Sequence, residues 1–165
     1  MSSNKNFFSL PFTVRYGQLV NEIRTELHIS APENTELSKA LKCVAIWDTG
    51  AQGTVMTKKI AQALGLKPTG KRKAIGVNSS SIEDTHVVNL FLPNGLRINS
   101  VEVMEGALLE ENEVLIGMDI IAIGDFAISN ADKKTTMSFR FPSFKEINFV
   151  EEDKRRKAIH DKSQR

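Results

Sequence analysis

Cysteine and long apolar runs are almost missing from this chain. Cys43 is the single cysteine among 165 residues, so the chain cannot form an internal disulfide. We therefore expect a reducing, cytoplasmic location. No apolar run approaches the roughly 20 residues that are needed to span a bilayer. The first residues also lack the apolar core of a secretory signal. The sequence thus predicts a globular protein with no membrane partner.

The chain also has little net charge and few histidines. Its 22 Lys and Arg residues nearly balance 20 Asp and Glu residues, for a formal net charge of +2, which is too small to indicate a nucleic-acid partner. His28, His86 and His160 lack the spacing of metal ligands, and we interpret them as surface or strand residues. We accordingly expect no metal and no other cofactor.

Short β-type runs separated by turn residues make up most of the sequence. The strongest hairpin signal is "PNG" at 93–95, because Asn and Gly both tolerate positive φ. A second hairpin is indicated around "NADK" at 130–133. Two short helices are predicted, one between Thr57 and Gly65 and one within "MDIIAIGD" at 118–125. The pattern predicts a single, mainly antiparallel β domain.

One β-type run ends on a carboxylate. "ALKCVAIWD" is mostly apolar, as in a strand that is buried on both faces, and its last residue is Asp48. A carboxylate there costs free energy unless it is hydrogen-bonded or shares a proton. Turn amides near Gly50 can supply that hydrogen bond, and the missing Cβ of Gly50 lets a ligand or another backbone approach closely.

These residues carry a resemblance to a known family. "AIWDTGAQGTVMT", followed later by "VLIGMDII", resembles the retropepsin-like aspartic proteases. The resemblance implies a small closed antiparallel β-barrel with two short helices and a flap hairpin over the site. It divides the chain into an N-terminal extension with the first strands at 1–40, the barrel core at 41–142 and a charged tail at 143–165. That tail is expected to be a helix or frayed.

The resemblance also assigns the site. It implies that Asp48 is the catalytic residue. Around it lie an active-site turn, a flap that binds substrate and a structural glycine element near the second helix. The turn is Thr49, Gly50 and Ala51; the flap is Ile75, Gly76, Val77 and Asn78; the structural glycine element is Ile116 and Gly117. Asp119 is interpreted as a first-turn charge or an ion-pair partner rather than a catalyst.

The chain contains one Asp-Thr-Gly turn. Hydrolysis by this chemistry needs two carboxylates that share one proton, since, as the aspartic proteases themselves illustrate, neighbouring like charges cannot both ionise. The second Asp48 must then come from another copy, so we expect a homodimer with the site on its two-fold axis. Ala51 offers no hydroxyl to the carboxylate, which favours activity at mildly acidic rather than strongly acidic pH.

Three alternatives follow for function. The first is a homodimeric aspartic endopeptidase that cleaves peptides or proteins. The second is a non-catalytic peptide-binding or dimerisation module, and the third is a monomer whose terminal extensions cover the dimer face. Gln52, Val55 and Ile75 are expected in the groove wall and favour extended peptides with apolar side chains. Trp47 is expected to pack against the barrel or against the dimer face.

Overall fold

The computed structural model of the chain describes residues 9–75, 80–108 and 111–163. Within these ranges the chain forms ten strands and three α-helices. The strands are β1 (Leu10–Arg15), β2 (Ile23–Ser30), β3 (Leu41–Trp47), β4 (Val55–Met56), β5 (Gly70–Ile75), β6 (Ser80–Phe91), β7 (Arg97–Glu105), β8 (Val114–Ile116), β9 (Asp125–Ser129) and β10 (Thr136–Phe141). The helices are α1 (Lys58–Ala63), α2 (Met118–Ile121) and α3 (Phe149–Ser163). None of these helices is long and apolar enough to cross a membrane.

The larger sheet closes on itself. Its strand order is β2-β3-β8-β4-β7-β6-β5, and a further pairing of β2 with β6 joins the sheet into a ring. Most pairs are antiparallel, as expected, while β3–β8 and β4–β7 run parallel. The "PNG" turn connects β6 to β7, with Gly95 at φ +78°. The mainly β class that the sequence predicts is confirmed.

The hydrophobic core is built from the strands of this ring together with α1, α2 and β10. Alternate residues of β2 are buried, and their apolar members lie in the main hydrophobic cluster. In β3 the buried set is Cys43, Ala45 and Trp47, whereas Val44 and Ile46 are half-buried. The expectation that this strand is buried on both faces is therefore wrong, since the second face of β3 is only partly covered.

A second sheet, ordered β1-β10-β9, packs against the ring through aromatic residues. The indole of Trp47 lies 5.3 to 6.1 Å, centroid to centroid, from three rings of this sheet: Phe12, Phe126 and Phe139. Its Nε1 donates to Thr25 Oγ1 at 2.9 Å. Of the two positions that the sequence left open for Trp47, the structure shows the one inside the fold.

Asp125 fixes the segment that follows β10. Its carboxylate accepts hydrogen bonds at 2.5 to 2.9 Å from Arg140 Nε, Ser143 Oγ and the Phe144 amide. Burial works to raise the pKa of Asp125, but these hydrogen bonds hold it well below the ordinary value of 3.8. The tail beyond is the helix α3, and all its described side chains are exposed.

The ring begins before the predicted core boundary. Strand β2 precedes residue 41, yet it pairs with β3 and also closes the ring against β6. The division into 1–40, 41–142 and 143–165 stays a prediction.

Candidate functional site

Asp48 directly follows β3, at the end of its parallel pairing with β8. Trp47 lies opposite Ile116 in that pairing. The amide of Asp48 donates to the Ile116 carbonyl at 3.0 Å. The backbone of the structural glycine element therefore fixes the backbone position of Asp48. The Asp48 side chain is half-buried, while Thr49 and Gly50 are exposed. The carboxylate of Asp48 therefore lies near the surface, at the end of a strand that is hydrogen-bonded to β8.

The turn itself holds one carboxylate oxygen. The Gly50 amide donates to Asp48 Oδ1 at 2.7 Å, and the Ala51 amide donates to the Asp48 carbonyl at 3.3 Å. A Cβ on Gly50 would lie 3.1 Å from Asp48 Oδ1, closer than most such contacts. A glycine at this position thus lets the backbone approach the carboxylate and donate to it.

The structural glycine element packs against the far end of the same turn. A Cβ on Gly117 would lie 2.5 Å from both the carbonyl carbon and the carbonyl oxygen of Gly53. At the start of α2, the Met118 amide donates to the Ala51 carbonyl at 2.8 Å. Gly117 therefore permits a close approach of two backbones, which brings the first turn of α2 onto the Asp48 turn.

Sequence reasoning missed a second connection between these segments. Asp119 accepts two hydrogen bonds from Thr54, one from its amide at 2.9 Å and one from its hydroxyl at 2.8 Å. The Thr54 hydroxyl also accepts the Gly117 amide at 3.2 Å. Asp119 thus binds a neutral threonine rather than an ion-pair partner. Thr and Asp often hydrogen-bond to nearby backbone amides, so each residue by itself indicates such a bond. No local pattern, however, relates Thr54 to Asp119, because they are far apart in sequence.

A groove adjoins the turn. Its volume is about 800 Å³, and its walls are the turn segment 50–55, strands β5 and β6, and the end of β7 with residues up to Leu108. Gln52 and Val55 line it, as the sequence predicts. Ile75 ends strand β5. Gly76, Val77 and Asn78 lie outside the described residues, so the predicted flap contacts stay a prediction.

Two other titratable side chains, Cys43 on β3 and His86 on β6, are buried. Burial, reinforced by the charge of Glu113, raises the pKa of the Cys43 thiol to about 12, so this thiol is unreactive. His86 is 1% exposed, and its Nε2 lies 3.2 Å from Glu105 Oε2. Among the described residues, no three His, Cys, Asp or Glu side chains are grouped to hold a metal ion.

The chain is similar in fold to solved structures. A retropepsin-like aspartic protease from Rickettsia conorii matches with a TM-score of 0.50 and 16% identity over 81% of this chain and 95% of its own. The EIAV protease, solved with an inhibitor, matches with a TM-score of 0.45 and 20% identity, over 66% of this chain and 92% of its own. The simian foamy virus protease matches with a TM-score of 0.41 and 15% identity, over 59% of this chain and 92% of its own. The first of these matches shows a shared fold.

Sequence comparison gives a family. No curated protein matches the chain significantly. A family model described as aspartyl protease matches residues 36–120, just over half of the chain. That range includes the Asp48 turn, Thr54 and the glycine element at Gly117. With the closed sheet and the structural match, this places the chain in the aspartyl protease family, among its retropepsin-like members.

Proposed function

We propose that the chain is an aspartic endopeptidase that works as a homodimer, with one Asp48 from each copy. The observation that carries the proposal is the Asp48 turn, in which the Gly50 amide holds one carboxylate oxygen at 2.7 Å beside a groove of about 800 Å³. A carboxylate in this position can exchange protons with a bound water, and the groove has room for a peptide.

The proposed chemistry is general acid–base hydrolysis without a covalent intermediate. One Asp48 is ionised and takes a proton from a water molecule, and its twin is protonated and polarises the scissile carbonyl. Each chain has a single Asp-Thr-Gly turn, so the pair needs two copies about a two-fold axis. Thr49, which is exposed, would join the two turns across that axis, and the exposed backbone at Gly50, which carries no side chain, would let the substrate approach.

Strand β9 supplies a surface for that dimer. In the order β1-β10-β9, no described strand pairs with the outer edge of β9, and an unpaired edge can hydrogen-bond to a second strand. Phe126 of β9 stacks on Trp47, the residue before Asp48, with centroids 5.6 Å apart. Antiparallel pairing of β9 with its own copy about a two-fold axis would therefore bring the two Asp48 turns to the same interface.

Cleavage of a peptide library tests the catalytic part of the proposal. We expect the parent protein to cleave extended apolar peptides and Asp48→Asn to be inactive. The matched control is Asp132→Asn, at an exposed acid in the turn between β9 and β10, which should retain full activity. Equal cleavage by Asp48→Asn and the parent would assign the activity to another group. An inactive parent that still binds peptides would favour the binding-module alternative.

Sedimentation tests the dimer. We expect a dimer for the parent and a shift toward monomer for Ile128→Glu, because Ile128 is 43% exposed on β9 and the variant would bring two like charges together at the axis. Leu37→Glu is the control, at a similarly exposed apolar residue in a 3-10 helix away from this strand. A parent that is monomeric at every concentration, with and without peptide, would favour the third alternative, a monomer whose terminal extensions cover the dimer face.

The remaining parts of the proposal concern substrate and location. Peptides or proteins are the proposed substrates, without a metal, another cofactor or nucleic acid. A cytoplasmic location is consistent with Cys43, which is a buried free thiol.

A further inference from the structure

The groove wall contains a carboxylate that the proposed reaction does not use. Glu105 is the last residue of β7, lines the groove, and has a side chain that is 20% exposed. Its neighbours Gly106 and Ala107 are small, and they line the same wall. A Cβ on Gly106 would lie 2.8 Å from Val55 Cγ1, so Gly106 lets Val55 pack closely against this wall. The partly desolvated carboxylate of Glu105 faces a groove of about 800 Å³, which has room for a long side chain that ends in a cation.

His86 holds this carboxylate in place. Its imidazole is almost fully buried on β6, and Nε2 lies 3.2 Å from Glu105 Oε2. Because a carboxylate can only accept, the shared proton belongs to Nε2. The other ring nitrogen, Nδ1, is buried without a partner among the described residues. One oxygen of Glu105 is thereby fixed by a rigid donor, and the second oxygen has no hydrogen-bond partner in the described part of the chain, so it can accept from a ligand.

The cations of the groove do not neutralise Glu105. Arg72 on β5 lies 2.6 Å from Glu102 and is therefore committed to another carboxylate. Lys73 is also on β5, and β6 lies between β5 and β7. Neighbouring strands are about 4.8 Å apart, so Lys73 starts from a backbone roughly 10 Å from that of Glu105. The groove thus has cations along its β5 edge and three carboxylates, Glu83, Glu102 and Glu105. Of these, Glu102 is paired with Arg72, and Glu105 is the one in contact with a buried histidine.

We propose that Glu105 is a specificity-determining residue, which binds the cationic end of a lysine or arginine side chain of the peptide. The inference rests on the proposed function only in taking the groove as the peptide site. The stem of the cationic side chain would lie along Val55 and Met104, both of which line the groove. Its charge would form a charge-assisted hydrogen bond with the open oxygen, which is strengthened by partial burial.

Binding of peptides with a non-hydrolysable scissile bond tests the inference without requiring catalysis. In an apolar extended peptide, each position in turn is changed from norleucine to lysine, since the two side chains share a straight hydrocarbon stem and differ in the amine. Fluorescence anisotropy gives the dissociation constants. We expect lysine at one position to bind about tenfold more tightly than norleucine, as for a hydrogen bond to a charged group.

The Glu105→Gln variant identifies the residue. Its amide oxygen can still accept from His86, so the wall should keep its shape while the charge is lost. We expect the lysine preference to fall to about twofold or less, because the variant has no charge to pair with the amine. Glu26→Gln is the control, at an exposed acid that is paired with Lys42 on the β2–β3 surface, and it should keep the full preference.

The two proposals fail in different ways. Apolar peptides that bind equally well with lysine or norleucine at every position would overturn the role of Glu105 and leave the endopeptidase proposal intact. A lysine preference that survives in Glu105→Gln would also overturn it. Selective binding of lysine peptides by a protein that cleaves none of their hydrolysable versions would support the role of Glu105 and overturn the endopeptidase proposal.

Discussion

Replacing Thr54 with valine should weaken the fold more than the loss of one hydroxyl would suggest. Valine has nearly the same shape, so the change removes hydrogen bonds without opening a large cavity. Thr54 is 1% exposed, and its hydroxyl donates to Asp119 at 2.8 Å and accepts from the Gly117 amide at 3.2 Å. In Thr54→Val the first bond is lost and the buried Gly117 amide has no acceptor.

The size of the effect follows from these two losses. A hydrogen bond to a charged group contributes about 1.5–3 kcal/mol, and an unsatisfied buried donor costs about 1–3 kcal/mol. Asp119 is exposed and can rebind water, which lowers the first figure. We therefore expect the free energy of unfolding to fall by about 2–4 kcal/mol. For a chain of this length, such a loss lowers Tm by about 5–15 °C.

Thermal and urea unfolding, at one fixed protomer concentration, would measure the loss. The control is Thr13→Val, which removes an exposed hydroxyl that bonds Ser138 Oγ at 2.8 Å on β1. That change should cost less than about 0.5 kcal/mol. In a double-mutant cycle, Thr54→Val and Asp119→Ala should be strongly non-additive. A Thr54→Val variant as stable as the control, or additive with Asp119→Ala, would refute the connection between the turn and α2.

Three further changes test other contacts of the site and its support. Gly117→Ala should lower both stability and peptide cleavage, because its Cβ would meet the Gly53 backbone at 2.5 Å, whereas Gly53→Ala, with nothing within 4 Å, should be tolerated. Trp47→Phe should cost about 1–3 kcal/mol in urea unfolding, since the buried Thr25 hydroxyl loses its donor. Asp125→Asn should destabilise at pH 7, and the difference from the parent should shrink as the pH falls below 3.8. The folded pKa of Asp125 is below 3.8, so its stabilisation is present above that pH and is lost as the pH falls through the folded value. A pH-independent difference would assign the loss to shape rather than charge.

Most elements of the fold were predictable because their signals are local. The "PNG" turn gave the β6–β7 hairpin, and Thr57 and Gly65 bracket α1, where Gly65 takes φ +63°. Turn and cap preferences act within a few residues of the chain, so they survive whatever the tertiary structure adds. The partial burial of the second face of β3 was less predictable. An apolar residue indicates that burial is favourable, but it does not indicate which neighbouring element buries it.

Some features of the candidate site were likewise predictable from the sequence, and others were decided by packing. The sequence alone determined the Asp48 turn, because a buried strand that ends in Asp-Thr-Gly specifies its own backbone course and its own donor to the carboxylate. It also determined that one chain contains one Asp-Thr-Gly turn. Trp47 shows the limit: the sequence marked it as a large side chain before the turn, and only packing placed its ring among Phe12, Phe126 and Phe139.

Only the tertiary structure decided which distant residues meet. Thr54 and Asp119 are 65 residues apart in sequence, with strands β4 to β8 between them. The supports of the turn at Ile116 and Gly117 are similarly distant from it. His86 and Glu105 likewise meet because β6 and β7 are neighbours whose ends adjoin the groove. The physical reason is that such contacts form when the ring closes, and ring closure is set by the combined burial of all its strands rather than by any short segment.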